Sequence, residues 1–596
     1  MGDTATMTGS KPKPPLALFQ GLLPIDRAKI PIDMIAGVTL AALAIPEVMG
    51  YTSIAGMPVI TGLYTILLPV LVFALLGSSR HLVVGADSAT AAVMAAGLAG
   101  LAASQSTQYV ALAGLLALMA GALLLLARLA KLGFIADFLS RTVLIGFLTG
   151  VGIQVACGQV SGMLGVPSGT GVTIAGHDFD NTFGKLLSTL GNLDQISWAT
   201  FAVSAGVLVT MLGLKLINRK IPGALLAVVG AIFISWNWDL ASHGVATLGP
   251  LPSGLPHFGL PDVTWSDIPA LMGTAVSIFI LVLAQSAATS RAYAAKYNDH
   301  FDENTDLVGL AAASVASGLS GTFVVNGSPT KTEILEEQGG KSQVANMTMA
   351  VVVLIVTLFL TQFLTPMPKA VLGGIVFLIG YGLIDIKGLK HVKKLAPTEF
   401  WIAVITAAVV CCVGVEQGII LALVVSVLLI IERSYRAHRF VVGVDPEGDP
   451  SYLAAEPGAQ SLPGLIVFRY DAPLFYANAN RFTDDVEALI QSAPDPVTWV
   501  VLDCDTLTDV DYSAGLALNN LVNYVHAQGA HLVLARPDSQ MLVTLEEVEV
   551  LPNIGREHIF DSLDDAVAAF RADPSGRPVT AITPVAAKAA EAPPSG

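Results

Sequence analysis

The sequence is poor in cysteine and in charge, and each shortage excludes a class of protein. Four cysteines in 596 residues are too few for a small secreted domain stapled by disulfide bonds. Charged residues make up 13% of the chain and hydrophobic residues 53%, whereas soluble domains average about 25% charged residues. The mean hydropathy is +0.67. These values exclude a string of soluble domains and predict a polytopic α-helical membrane protein.

Motifs that would indicate an enzyme, a metal site or nucleic-acid binding are also missing. The ten histidines form no zinc-binding pattern, and no basic stripe suggests nucleic acid. Gly340-Lys341-Ser342 is similar to the end of a phosphate-binding loop, but Leu335 occupies the position of the leading glycine. No signal peptide is evident at the N-terminus. We therefore predict a protein that is not an enzyme and that uses no cofactor and no metal.

The negative charge is concentrated towards the end of the chain. The formal net charge is -15, and residues 440–573 alone contain 22 acidic and 5 basic residues. The rest of the chain is close to neutral, at +2. Two bodies are therefore fused, an apolar one and an acidic, soluble one, and the overall acidity describes only the second.

The apolar body contains fourteen candidates for membrane-spanning helices, each of which needs about 20 mostly apolar residues. They begin near Ile32, Ile60, Ser88, Val110, Phe138, Ile196, Ile221, Ile268, Leu307, Pro329, Ala345, Ala370, Phe400 and Gln417. Lysine and arginine cluster at alternate ends of these runs, whereas residues 161–195 contain only Lys185 and residues 237–267 contain none. By the positive-inside rule, this pattern predicts fourteen spans with both termini in the cytoplasm.

Two of the runs are interrupted, and the interruptions match. One reads HLVVGADS where its helix begins at Ser88, and the other reads TFVVNGS before Pro329. Ser88 and Pro329 stand 241 residues apart, and Glu47 stands 238 residues before its counterpart Gln285. Similar offsets imply a duplicated unit of seven spans, and because seven is odd, the second copy is inverted. Inverted repeats with broken spans are typical of secondary transporters, which bind their substrates near the membrane midplane.

The interrupted spans predict a binding site for an anion. Each short helix begins inside the membrane, where its free N–H groups and its dipole attract negative charge. Lys331 adds a full positive charge beside the second helix. Hydroxyl donors on the two helices are Ser88, Thr90, Ser328, Thr330 and Thr332. Ionisable residues inside a membrane are costly enough to indicate function, and here they are Glu47, Asp87, Lys331 and Glu333.

A plainer explanation is available for part of this set. Lys331 could pair with Glu333 or Glu336 at the end of its helix, and Asp87 could simply cap the helix that follows it. The sequence alone leaves both explanations open.

At these positions the chain resembles the sulfate permease (SulP) family of anion transporters. Residues 45–64 resemble the family signature P-Q-x-M-A-Y-A-x-x-A-G-x-P...G-L-Y, and residues 77–80 resemble its G-S-S-R. Further similar segments are residues 132–140, 368–372 and 414–419. The resemblance extends over residues 30–573, nearly the whole chain.

The resemblance implies seven plus seven inverted spans, divided into a core and a gate domain, followed by a cytoplasmic α/β domain. The expected parts are an N-terminal segment (1–30), a transport domain (31–433, with repeats at 31–242 and 265–433), a linker (434–460), a STAS domain (461–573) and a disordered tail (574–596). The family holds its anion between the first, third, eighth and tenth spans. Carried over by position, the site residues are Glu47, Tyr51, Ala86, Asp87, Ser88, Gln285, Thr289, Ser328, Thr330 and Lys331.

Three of these positions depart from the family pattern. Many members have glutamine where this chain has Glu47, and an acid where it has Gln285, so the carboxylate has moved across the site. Members are thought to couple a proton or a sodium ion through that acid. We therefore hypothesise that Glu47, together with Asp87, carries the coupling, because its protonation would offset the charge of the incoming anion. Lys331 replaces a common arginine, which keeps the charge but loses the planar fork.

The acidic body alternates predicted strands and helices, which indicates a small α/β domain. It resembles the STAS domain, which this family shares with anti-sigma factor antagonists. Ser513 matches the serine that is phosphorylated in the antagonists. Tyr512 and Ala514 depart from the usual D-S-S-G, however, which favours a plain N-cap role for Ser513 over regulatory phosphorylation.

Together these features predict a secondary active transporter of a small inorganic anion in the plasma membrane. The resemblance favours sulfate, carried by proton-coupled symport with alternating access. Sodium- or proton-coupled transport of bicarbonate or a C4 dicarboxylate is the alternative, and Gln285 keeps open an uncoupled channel or a membrane-anchored regulatory protein. The implied partners are the anion, a coupling proton or sodium ion, the lipid bilayer, a second copy in a homodimer, and a cytoplasmic protein bound through the STAS domain.

Overall fold

The computed structural model describes residues 18–131, 140–166, 172–174, 177–179, 182–217, 222–299, 302–444, 450–507 and 509–573. The chain forms two compact units, Met1–Val427 and Leu428–Gly596. Two sequence predictions lie largely or wholly outside the described residues: the family-like segment at 132–140, of which only Ser140 is described, and the disordered tail at 574–596.

The first unit, called the membrane body below, is built mainly from helices. They are α1 at Ile30–Ala55, α2 at Val59–Tyr64, α3 at Leu68–Leu76, α4 at Ser88–Leu98, α5 at Thr107–Leu129, α6 at Arg141–Leu164, α7 at Thr182–Gly191, α8 at Trp198–Ile217, α9 at Gly223–Trp238, α10 at Asp267–Tyr297, α11 at Glu303–Leu319, α12 at Pro329–Glu337, α13 at Gln343–Ile355, α14 at Lys369–Leu383, α15 at Ile386–Leu395, α16 at Pro397–Cys412 and α17 at Val415–Tyr435. The last of these helices begins in the first unit and ends in the second. The short strands are β1 at Val84–Gly85, β2 at Val172–Ile174, β3 at His177–Phe179 and β4 at Asn326–Gly327.

The helices agree with the hydrophobic runs of the sequence. A helix begins within four residues of every one of the fourteen predicted starts. Across the described ranges, nine helical stretches are long and apolar enough to cross a membrane, and three more are apolar but shorter. Many apolar helices are therefore confirmed, while the number of complete crossings stays a prediction.

Close packing around α1 depends on glycine. A Cβ atom added at Gly62 would lie 2.4 Å from the carbonyl oxygen of Val48, and one added at Gly37 would lie 2.4 Å from that of Ala345. Small residues let membrane helices approach to backbone contact. Helix α1, which carries Glu47, is therefore packed directly against α2 and α13.

The two interrupted spans meet through their backbones. Strands β1 and β4 pair antiparallel, with Val84 opposite Gly327 and Gly85 opposite Asn326. Helices α4 and α12 begin just after these strands, which confirms both predicted breaks. Gly85 and Asn326 are also 241 residues apart. An antiparallel pair at the repeat offset is the contact that two inverted copies would make with each other.

The second unit contains a six-stranded mixed sheet flanked by helices. The strands are β5 at Arg439–Val444, β6 at Pro450–Ala454, β7 at Leu465–Tyr470, β8 at Trp499–Asp503, β9 at His531–Ala535 and β10 at Ile559–Phe560, in the order β10-β9-β8-β7-β5-β6. The helices are α18 at Ala479–Ser492, α19 at Tyr512–Ala527, α20 at Ser539–Glu547, α21 at Val550–Ile554 and α22 at Leu563–Ala572. Strands β7 to β10 run parallel, which confirms the predicted α/β alternation.

Strands β5 and β6 lie in the stretch 434–460, which the sequence analysis assigns to a linker. They pair with each other, and β5 also pairs with β7 by placing Val441 opposite Phe468. The Val441 side chain is buried in the core of the unit. The folded unit therefore includes β5 and β6, and the sheet begins at Arg439 rather than after residue 460.

Asp511 caps α19, so the N-cap role predicted for Ser513 is wrong. The backbone N–H of Ala514 donates to Asp511 Oδ1 at 2.7 Å, and the helix begins at Tyr512. Ser513 is exposed in the first turn. Its phosphorylation stays a prediction.

Candidate anion-binding site

The β1–β4 pair brings the starts of α4 and α12 together in the membrane body. Both helices are short, with 11 and 9 residues. Ser328 leads into α12, and its backbone N–H donates to the carbonyl oxygen of Val83 at 2.9 Å. The first turns of two helices therefore lie beside one backbone ladder.

Lys331 lies in the first turn of α12 and is only 1% exposed. Its Nζ donates to the carbonyl oxygen of Ala86 at 2.5 Å, lies 3.9 Å from Glu47 Oε2, and lies 4.7 Å from the centre of the Tyr51 ring. At 3.9 Å the carboxylate is too far for a direct hydrogen bond. The ammonium is therefore held by a carbonyl group and an aromatic face, and its charge is only partly neutralised.

Glu47 and Tyr51 face Lys331 from α1. The two residues are one turn apart, and the Tyr51 hydroxyl donates to Glu47 Oε1. Tyr51 is buried, whereas the Glu47 side chain keeps 16% of its surface exposed. Glu47 therefore contacts the site through Tyr51 and Lys331, and part of its side chain stays uncovered by the protein.

Asp87 and Ser88 stand at the start of α4. The backbone N–H of Ala89 donates to Asp87 Oδ2 at 3.0 Å, so Asp87 is the N-cap of this helix. The predicted cap is therefore confirmed, and a further role of Asp87 in the site stays a prediction. Ser88 and Thr90 are buried beside it, although the Thr90 hydroxyl donates to the carbonyl oxygen of Asp87 at 3.1 Å.

The plainer explanation for Lys331 is wrong. Glu336 accepts hydrogen bonds from Lys296 Nζ at 2.8 Å and from the Tyr297 hydroxyl at 2.5 Å, on the surface of the membrane body. Glu333 is exposed. The carboxylate that Lys331 approaches is that of Glu47 instead.

The remaining predicted site residues differ in whether their polar groups are already hydrogen-bonded within the protein. Gln285 and Thr289 are buried on α10, but the Thr289 hydroxyl already donates to the carbonyl oxygen of Gln285 at 2.7 Å. Ser328 caps α12 by accepting from the N–H of Lys331 at 3.4 Å. The Thr330 side chain is exposed and reaches Ser328 at 3.2 Å. Ser328 and Thr330 thus lie at the start of α12, while Gln285 and Thr289 lie on α10.

Asn326 and Ser286 belong to the site and were missed in the sequence. The buried Asn326 amide donates to Gln285 Oε1, and its oxygen accepts from the Ser286 hydroxyl at 2.9 Å. Ser286 also accepts from the N–H of Gly327 at 3.1 Å. These bonds fasten β4 to α10. An amide side chain within an apolar run, 241 residues after Gly85, was the signal that could have identified Asn326.

Two further buried amides fix the other interrupted span. Gln343 Nε2 donates to the carbonyl oxygens of Ser79 and Leu82 at 2.8 and 2.9 Å, and Asn346 Nδ2 donates to that of Leu82 at 3.0 Å. They satisfy backbone groups that the unwound segment leaves without helical partners. Helix α13 thereby holds the segment that leads into β1.

We expect Asn326→Ala to raise the KM for uptake of the predicted anion about tenfold, because it removes two of the three hydrogen bonds that hold β4 against α10. The KM would be measured in proteoliposomes. Asn237→Ala, which removes an exposed amide elsewhere in the membrane body, is the matched control. Equal KM values for the two variants would contradict a positioning role for Asn326.

Comparison with known sequences assigns this chain to a family. The profile of the Sulfate permease family matches residues 31–406, and that of the STAS domain matches residues 456–566. A probable sulfate transporter of Mycobacterium tuberculosis is 34% identical over 540 residues, covering 90% of this chain and 95% of that protein. Probable sulfate transporter 3.3 of Arabidopsis thaliana is 27% identical over 561 residues, with 90% and 88% covered.

Solved structures show the same fold. Murine Solute Carrier 26 family member A9, an anion transporter in the inward-facing state, aligns with a TM-score of 0.81 at 21% identity over 93% of each chain. The transmembrane domain of a cyanobacterium bicarbonate transporter aligns with a TM-score of 0.57 at 24% identity, over 67% of this chain and 98% of that one. At such identities the likeness concerns the fold alone.

Proposed function

This chain belongs to the sulfate permease family, and we propose on that basis that it is a secondary active transporter that carries sulfate together with protons. The observation that carries the proposal is Lys331, a buried cation with an incompletely neutralised charge at the first turns of two helices. A small anion placed there would meet Lys331, helix N–H groups and the Ser88 hydroxyl. The sulfate transporters among the relatives support the choice of anion.

The charges around the site support proton coupling. With Glu47, Asp87 and Lys331 all ionised, these three side chains sum to one negative charge, which repels an anion. Protonation of Glu47 brings the sum to zero and frees Lys331 to face the substrate. Because proton and anion binding then favour each other, the two would move together. Glu47 is the coupling residue in this proposal, and Asp87 contributes a fixed charge at the start of α4.

In this proposal the protein lies in the plasma membrane with both termini in the cytoplasm, and it works by alternating access. The basic residues at alternate loops support this orientation. A homodimer and a cytoplasmic partner of the STAS domain complete the proposal, and both come from the family resemblance.

The function is tested by uptake of labelled sulfate, bicarbonate and succinate into proteoliposomes, with pH and sodium gradients imposed separately. We expect sulfate to accumulate above equilibrium under an inward proton gradient and not under a sodium gradient. If bicarbonate or succinate accumulates instead, that anion is the substrate and sulfate is not. Uptake that never exceeds the electrochemical gradient of the anion would indicate a channel.

Ser513 is the proposed regulatory position in the second unit. A phosphate there would lie in the first turn of α19, close to the Asp511 carboxylate that caps the helix. We expect Ser513→Asp to lower sulfate uptake at least twofold through this repulsion. Ser513→Ala is the control, and identical uptake by both variants would argue against regulation at this residue.

A further inference from the structure

A cavity of about 240 Å³ lies in the membrane body away from the helix starts that form the anion site. Its walls come from the start of α1, the segment before β1, the end of α10 and the start of α13. We call it the basic cavity and define it by Lys29, Arg80, His81, Tyr297 and Lys341. It unites two segments that the anion site does not use: residues 77–80, with the sequence G-S-S-R, and residues 340–342, with the sequence G-K-S.

Two cations in the basic cavity lack a carboxylate partner among the described residues. The Arg80 guanidinium reaches only the carbonyl oxygens of Leu23 and Pro24, at 3.3 and 3.4 Å. Lys341 Nζ lies over the Tyr297 ring, 6.0 Å from its centre. Lys29 differs, because it pairs with Asp26 at 2.8 Å. Arg80 and Lys341 therefore bring positive charge to the cavity without an ion-pair partner.

The two other carboxylates of the cavity lie beside groups other than these two cations. Asp33 accepts from the backbone N–H of Lys341 at 2.7 Å and from the hydroxyl of Ser342, the N-cap residue of α13, so its carboxylate holds the turn before that helix. Asp299 lies 3.5 Å from Nδ1 of His81. None of these carboxylates forms an ion pair with Arg80 or Lys341.

His81 adds a buried polar atom without a partner. The residue is 3% exposed and stacks on Tyr297 with ring centres 4.6 Å apart. Its Nε2 has no hydrogen-bond partner within the described part of the chain. Buried polar atoms are almost always satisfied, so an orphaned ring nitrogen in a cavity wall indicates that something polar binds nearby.

We infer that the basic cavity binds a phosphate-type oxyanion, held by the Arg80 fork and the Lys341 ammonium. A guanidinium matches two oxygens of such an ion, and a lysine adds a point charge. The volume is several times the roughly 30 Å³ that one water molecule occupies in the liquid, which leaves room for the ion and its hydration. The oxyanion is either a free phosphate or the headgroup of an acidic phospholipid.

An oxyanion bound in the basic cavity would affect the anion site through the backbone that connects the two. His81 is three residues from β1, and Gln343 already ties this segment to α13. An oxyanion that bridges Arg80 and Lys341 would tighten the same connection. By thermodynamic linkage, if the bound oxyanion changes the affinity for the substrate by some factor, the bound substrate changes the affinity for the oxyanion by the same factor.

The inference is tested by titrating the purified full-length protein with inorganic phosphate and following binding by calorimetry. We expect Lys341→Gln to weaken binding about tenfold, since one charge-assisted contact is lost. Lys341 is exposed, so this substitution spares the fold. Lys390→Gln makes the same change at an exposed position on α15 and is expected to leave binding unaltered. Arg80→Gln should repeat the effect of Lys341→Gln.

Lys331→Met separates this cavity from the anion site, because phosphate binding to the basic cavity should survive it. The measurements are repeated in nanodiscs of phosphatidylcholine and of phosphatidylglycerol. Binding in both lipids identifies free phosphate as the ligand, and loss of binding only in phosphatidylglycerol identifies a headgroup that competes. The inference is overturned if phosphate does not bind in either lipid, if Lys341→Gln binds like the parent, or if Lys331→Met alone abolishes binding.

Discussion

Replacing Lys331 with methionine is expected to reduce sulfate uptake about 100-fold. Lys331 is buried and reaches Ala86, Tyr51 and Glu47 from the first turn of α12. Methionine has a similar length but no charge, so an anion would lose its charged partner in a dry site. A hydrogen bond to a charged group contributes about 1.5–3 kcal/mol, and two tenfold steps correspond to about 2.8 kcal/mol.

The measurement is initial uptake into proteoliposomes at equal protein content. Lys331→Arg is the matched control, because it keeps the charge and adds the planar fork that suits oxyanions. We expect it to retain uptake within about tenfold of the parent. If the methionine variant transports as fast as the arginine variant, the charge at this position is not what binds the anion.

Glu47→Gln is expected to abolish the dependence of uptake on a proton gradient. Glutamine matches the protonated carboxyl group in shape and keeps a polar contact for the Tyr51 hydroxyl. The site would then stay in its anion-accepting state at every pH. Sulfate should still exchange down its gradient, but accumulation driven by an inward proton gradient should disappear.

The control for this variant is Glu416→Gln. Glu416 lies in the first turn of α17, and its carboxylate accepts from the Thr274 hydroxyl at 3.3 Å, away from Lys331. Uptake is compared with and without an imposed pH gradient at constant membrane potential. Proton-driven accumulation that persists in Glu47→Gln and vanishes in Glu416→Gln would place the coupling at the second residue.

The elements of this site could be predicted from the sequence because they interrupt regular patterns. A glycine and small polar residues in apolar runs located the starts of α4 and α12 to the residue, at Ser88 and Pro329. The matching offset of 241 residues identified the two spans as partners. Local composition and repetition are both visible in a single chain, so these predictions did not require the tertiary structure.

Contacts between distant residues could not be predicted in the same way. Glu47 and Lys331 are far apart in the chain, and their separation of 3.9 Å depends on how α1 packs beside α12. From the sequence, Glu333 and Glu336 are the nearer candidates for pairing with Lys331, because a sequence shows only which residues are neighbours along one helix. Strand β5 was missed for a related reason: it begins four residues after the end of α17, and a strand this short can be recognised only from its pairing with β6 and β7.

The ladder between β1 and β4 is made of main-chain atoms, and this separates the framework of the site from its chemistry. Opposed residues such as Gly85 and Asn326 are joined whatever their side chains are. Side chains that do not fasten these strands to neighbouring helices can therefore change while the two helix starts keep their places. Glu47 belongs to α1 and Gln285 to α10, so neither residue takes part in the pairing of β1 with β4. Such a scaffold is well suited to acquiring new substrates by a few substitutions.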